Sequence, residues 1–155
     1  CIGIGEKRAL GDVDIRSGNV QLAMSHVVPD LVQKILKGQD PLHILGSGSQ
    51  VRHYTYGGDL ARGIRICIED EKSINQDFNI STTVLELAEI IWKKINPNKP
   101  FNYLSDTPFL YDVQKRVPDV GKMKDLLGFE ASTPLDKALD EVIPWIDEQI
   151  KLGTI

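Results

Sequence analysis

The chain has 155 residues, room for one ordinary domain with a core burying roughly 70% of its unfolded surface. Apolar residues make up 41% and charged residues 26%, which excludes a disordered chain. With 18 Lys+Arg against 22 Asp+Glu the formal charge is −4, which argues against a nucleic-acid binder, and no stretch reaches the ~20 apolar residues of a membrane span. Cys1 and Cys67 form neither a CxxC pair nor a zinc spacing, so two reduced thiols in a cytoplasmic protein are expected. The first residues, Cys1-Ile2-Gly3-Ile4-Gly5, start without Met in mid-strand style, as expected of a piece of something larger.

Residues 6–23 mix charges and glycines without a period and predict a long mobile loop. A helix follows, with Ser25 as cap, Pro29 in the first turn, and Val28, Leu31, Val32, Ile35 and Leu36 on one face. Gly38 is placed to end it in the left-handed conformation. Residues 42–45 and 51–56 are β-prone runs around Gly46-Ser47-Gly48-Ser49 and predict a hairpin. Asp59 is expected to cap a second helix carrying Leu60, Ala61, Ile64, Cys67 and Ile68, and residues 77–80 to form a brief strand. Thr83 with Glu86 reads as a capping box for a helix to Ile95, and 101–104 as a weak strand before an irregular stretch to Pro118. A short helix over 121–127 closes at Gly128. Thr133 then caps a last helix with Pro134 first, a core face of Leu135, Ala138, Leu139, Val142, Ile143 and Ile146, and a kink at Pro144. The expected class is mixed α/β: one domain over 1–155, helical, with short strands and a hairpin.

Several constellations read better as structure than as chemistry. Gly3-x-Gly5 has Arg8 where a dinucleotide-binding turn needs its third glycine. The Gly46–Ser49 run lacks the Lys-Ser/Thr of a phosphate loop and reads as a plain turn. His26, His43 and His53 show no metal-ligand spacing. Tyr111-x-x-x-Lys115 has the spacing of a catalytic pair, but Arg116 and Pro118 follow at once and no helical period surrounds it. Arg52, beside a tight turn, and Arg116, in an irregular loop, carry the side chain best shaped to fork onto phosphate oxygens.

The order of four motifs says more: SHVVPDLVQKILKGQDP, PLHILGSGSQVRHYTYGGDLARGI, DFNIS and QKRVPDVGKMKDLLGFE. Together they resemble the C-terminal, substrate-binding part of nucleotide-sugar epimerases and dehydratases, extended short-chain dehydrogenases, with the nearest likeness to the UDP-glucuronate decarboxylases. The resemblance implies that Leu42, Ile44 and Leu45 lie on the strand along the nucleobase, and that Arg52 meets the diphosphate. It places Asn79 near the substrate and Arg116, beside Lys115, in the loop that closes over the nucleotide. It further implies a UDP-, dTDP- or GDP-linked sugar as ligand, with NAD and an N-terminal Rossmann domain in the parent. The family's glycine-rich turn and its catalytic Tyr-x-x-x-Lys lie N-terminal to these motifs, so no catalytic or cofactor residue is expected within the chain and the isolated piece should be inactive. The alternative is a non-enzymatic nucleotide-sugar-binding or assembly module.

Overall fold

The computed structural model describes residues 16–17, 20–21, 26–80, 83–84, 87–107 and 113–153. The fold is mixed α/β, with short strands distributed over three two-stranded sheets. Three helices, α1 (Val27–Leu36), α3 (Leu87–Ile95) and α5 (Leu135–Leu152), gather around the main core. Val28, Leu31, Val32 and Ile35 of α1 meet Ile91 and Trp92 of α3 and Leu139, Val142 and Ile146 of α5. In α1 and α5 these fall at helical spacing on one face, so the apolar stripes that the sequence spaces out are the surfaces that pack. Gly38 (φ 79°) and Gly128 (φ 65°) follow their helices in the left-handed region, where a Cβ would be strained.

Strand β3 (Leu42–Leu45) feeds Leu42 into this core. Its partner is not the 51–56 segment. It pairs in parallel with β6 (Tyr103–Asp106), Leu42 against Tyr103 and Leu45 against Asp106. The predicted hairpin is therefore absent here, although the Gly46–Ser49 turn forms: Gly46 donates to the Asp106 carbonyl at 2.9 Å, and Ser105 Oγ donates to the Gly46 carbonyl at 2.6 Å. Both bonds tie the turn to β6 instead of bringing β3 against the next strand. That strand, β4 (Arg52–His53), pairs antiparallel with β5 (Thr83–Val84). Thr83 is thus a ladder residue, and Glu86, its partner in the predicted capping box, lies outside the described residues.

Two other predicted caps resolve differently. Helix α2 (Gly57–Glu69) begins before Asp59, which lies in its first turn with 0% exposure. Its carboxylate accepts from the Thr133 N–H and hydroxyl, both at 2.8 Å, and from Arg62. Thr133, read as the cap of α5, spends its hydroxyl on Asp59, and Pro134 takes the N-cap position. Pro144 lies inside α5, which continues through it to Leu152. Helix α1 has His26 at its N-cap, and Ser25 lies outside the described residues.

Residues 77–80, expected as a strand, run as irregular chain beside α2. Gly63 permits this closeness: a Cβ there would collide with Ile80 Cδ1 and come within 3.0 Å of Phe129 Cε1. An open groove of about 420 Å³ runs along α2 between Leu60, Ile64 and Ile68 and the residues Phe78 and Ile80. Short helix α4 (Gly121–Leu127) follows the irregular stretch. In the predicted loop 6–23, β1 (Arg16–Ser17) and β2 (Val20–Gln21) form a small antiparallel pair, and the remainder lies outside the described residues. Among the described residues no helix is long and apolar enough to cross a membrane.

Candidate functional site

Parallel strands β3 and β6 run side by side, and beyond their carboxyl ends the two chain segments meet again. Val51 and Lys115 form an isolated parallel bridge. Val51 N–H donates to the Gln114 carbonyl at 2.9 Å, and its carbonyl accepts from the Arg116 N–H at 3.0 Å. The Arg52 guanidinium donates through Nη1 to the same Val51 carbonyl at 3.1 Å. Two arginines 64 positions apart (116 − 52) are thereby anchored on one carbonyl oxygen. Sequence singled out both residues; that the Arg52 guanidinium and the Arg116 backbone N–H meet on one carbonyl it could not reveal.

Segments 50–54 and 113–117 carry Arg52, Lys115 and Arg116 and no acidic residue, although the chain as a whole has a charge of −4. Arg52 is half-buried, while Lys115 and Arg116 are exposed. Such a concentration of donors at the carboxyl end of parallel strands suits a dense anion. Tyr54, next but one to Arg52, is held as a neutral phenol: burial pushes it up to about 12 although the Arg52 charge draws it down. It is not available as a base near neutral pH. Lys115 sits in a β-bridge, not a helix, and its partner in the Tyr-x-x-x-Lys spacing, Tyr111, lies outside the described residues.

Of the other predicted site residues, Leu42 has 0% exposure and Ile44 packs against the core, so these two side chains are structural. Leu45 is half-buried on the opposite face of β3. Exposed Asn79 donates through Nδ2 to the Asp119 carbonyl at 2.9 Å, tying 77–80 to the approach of α4. One pair escaped sequence reasoning: His43 Nδ1 lies 2.9 Å from Asp106 Oδ1 across the β3–β6 ladder. The alternation of β3 already put His43 on the non-core face, but its partner is 63 residues away. Among the described residues no cluster of His, Cys, Asp and Glu could hold a metal ion.

The family model described as "NAD dependent epimerase/dehydratase family" matches residues 16–81, which hold the β3 turn and Arg52. UDP-glucuronic acid decarboxylase 4 of Arabidopsis thaliana is 33% identical over 117 residues, 73% of this chain and 25% of that protein. UDP-glucuronic acid decarboxylase 1 of Danio rerio is 30% identical over 129 residues, 81% of this chain and 30% of that protein. The chain belongs to the NAD-dependent epimerase/dehydratase family. Its architecture agrees with a solved UDP-glucose 4-epimerase of Thermotoga maritima with UDP-glucose, at 29% identity and a TM-score of 0.67. That match covers 81% of this chain and 40% of the epimerase. The chain spans a quarter to a third of the length of these two curated relatives.

Proposed function

We propose that this chain is the substrate-binding part of an NAD-dependent nucleotide-sugar epimerase, dehydratase or decarboxylase, and that it holds the nucleoside diphosphate at the carboxyl end of β3 and β6. Arg52 and Arg116 grip the diphosphate, Lys115 adds charge, and the outer face of β3 at Leu45 lies along the base. Asn79 fixes the segment that approaches the sugar. The observation that carries the reading is the shared Val51 carbonyl, which anchors both arginine-bearing segments at one place. The named relatives act on, or are solved with, UDP-linked sugars, which fits a diphosphate grip.

In the parent protein, NAD would supply transient oxidation of the sugar before epimerisation, dehydration or decarboxylation. No Gly-x-Gly-x-x-Gly run occurs in these 155 residues, so this chain is not assigned the cofactor cradle or any step through it. Its own contribution is binding and orientation, with the sugar held where another part of the protein acts on it.

Calorimetric titration with UDP tests the grip. A hydrogen bond to a charged group is worth roughly 1.5–3 kcal/mol, so Arg52→Ala or Arg116→Ala is expected to weaken binding about 10- to 100-fold. Arg→Lys should restore only part, since an ammonium keeps the charge and loses the fork. Unchanged affinity in both alanine variants would overturn the reading.

A further inference from the structure

The outer face of the β3–β6 ladder carries His43 and Leu45 from one strand and Leu104 and Asp106 from the other, in register. The His43 and Asp106 side chains are 32% and 26% exposed, and Leu104 is 50% exposed, so this face is half open. His43 is fixed from three sides. Its N–H donates to Gln39 Oε1 at 3.0 Å, its carbonyl accepts from the buried Lys34 ammonium at 3.0 Å, and its ring meets Asp106. An ionised carboxylate only accepts hydrogen bonds, so the proton between His43 and Asp106 belongs to Nδ1. With the shared proton on Nδ1, Nε2 is the ring nitrogen left to accept, with a set direction. His43 shares this half-open face with Leu45 and Leu104, and an acceptor with apolar neighbours suits the edge of a flat, partly apolar ring.

We infer that His43 is the specificity-determining residue for the base: its Nε2, oriented by Asp106 through Nδ1, accepts the ring N–H of uracil, thymine or guanine and rejects cytosine. Cytosine has a lone pair on the corresponding ring nitrogen, so two acceptors would face each other with no proton between them. A site built around one hydrogen bond discriminates most strongly against the analogue that lacks the matching group. The inference rests on the proposed placement of the base along β3 and adds which atom reads it. Asp106 is a positioning residue here, since it acts through His43.

The test is titration of the 155-residue chain with UDP and with CDP, for the parent sequence, His43→Phe, Asp106→Asn and Arg52→Ala, each variant first checked for a native amide NMR spectrum. The parent is expected to prefer UDP by about 10-fold. His43→Phe should abolish the preference. Asp106→Asn should reduce it, because a side-chain amide can donate to Nδ1 and move the ring proton to Nε2. Arg52→Ala should weaken both ligands alike and leave their ratio unchanged. Equal UDP and CDP affinities in the parent, with binding still lost in Arg52→Ala, would overturn the role of His43 and leave the diphosphate grip standing. A preference that survives in His43→Phe or is unchanged in Asp106→Asn overturns it as well. No binding of either ligand would overturn the placement of the nucleotide, and the base reading with it.

Discussion

Lys34→Met is expected to destabilise the folded chain by about 3–5 kcal/mol at neutral pH, measured by chemical denaturation. Lys34 has 1% exposure beside the apolar stripe of α1, and its ammonium lies 3.0 Å from Asp30 Oδ2 one turn away. It also donates to the His43 carbonyl, so it joins α1 to β3. Met fills similar volume, and the cost is mainly the buried Asp30 charge left behind, whose Oδ1 has no hydrogen-bond partner among the described residues. Burial raises the Asp30 carboxyl above its ordinary value, while the charge and hydrogen bond of Lys34 pull it back down. The folded state therefore holds that proton more firmly than the unfolded state does. This contribution to stability is present at low pH and is lost as pH rises through the raised value. Without Lys34 the carboxyl rises further, so the variant should recover on acidification more than the parent does. Adding Asp30→Asn should restore much of the loss at neutral pH. A loss under about 1 kcal/mol with an unchanged acid profile would contradict this account.

Asp59→Ala is expected to cost about 3 kcal/mol, the upper end for a hydrogen bond to a charged group. The carboxylate joins α2 to the approach of α5 across 74 residues. Ala strands the Thr133 N–H and hydroxyl together with the Arg62 guanidinium. Burial alone would raise the Asp59 carboxyl, but the bonds from Thr133 and Arg62 outweigh it and hold it below its ordinary value. The sign is the reverse of that at Asp30. Stability from Asp59 is present above the ordinary carboxylate range and is lost as pH falls through the lowered value. Asp59→Asn should remove much of this acid sensitivity while keeping one acceptor for Thr133. Equal acid midpoints for parent and Asp59→Asn would contradict the assignment.

What could be read from sequence was local. The stripes of α1 and α5 predicted helices because apolar spacing at 3.6 residues per turn is written in neighbouring positions. Gly38 and Gly128 were legible as stops because their need for positive φ is equally local. Strand partners were not: β3 looked ready to pair across its own turn, yet it joins β6 some 60 residues away. Thr83 carries a local capping signal, and its ladder with β4 depends on residues 30 positions away. Asp59 and Thr133 each carry the local signal of a cap for a separate helix, yet they bond to each other. For the site, Arg52 and Arg116 were legible through the motifs around them. Their common anchor at Val51 depends on a bridge between distant segments, and His43 gained its character only from Asp106.

The central claim is that one nucleoside diphosphate is held where the segments bearing Arg52 and Arg116 join. Amide chemical-shift mapping of the chain during titration with UDP tests this most directly, with uridine as the phosphate-free control. The amides of Val51, Arg52, Lys115 and Arg116 are expected to shift together with UDP, with one common affinity, and Leu45 to respond to both ligands. Uridine should leave the Val51–Lys115 bridge nearly unmoved. Shifts confined to the groove along α2, with Val51, Arg52 and Arg116 unmoved by UDP, would contradict the claim.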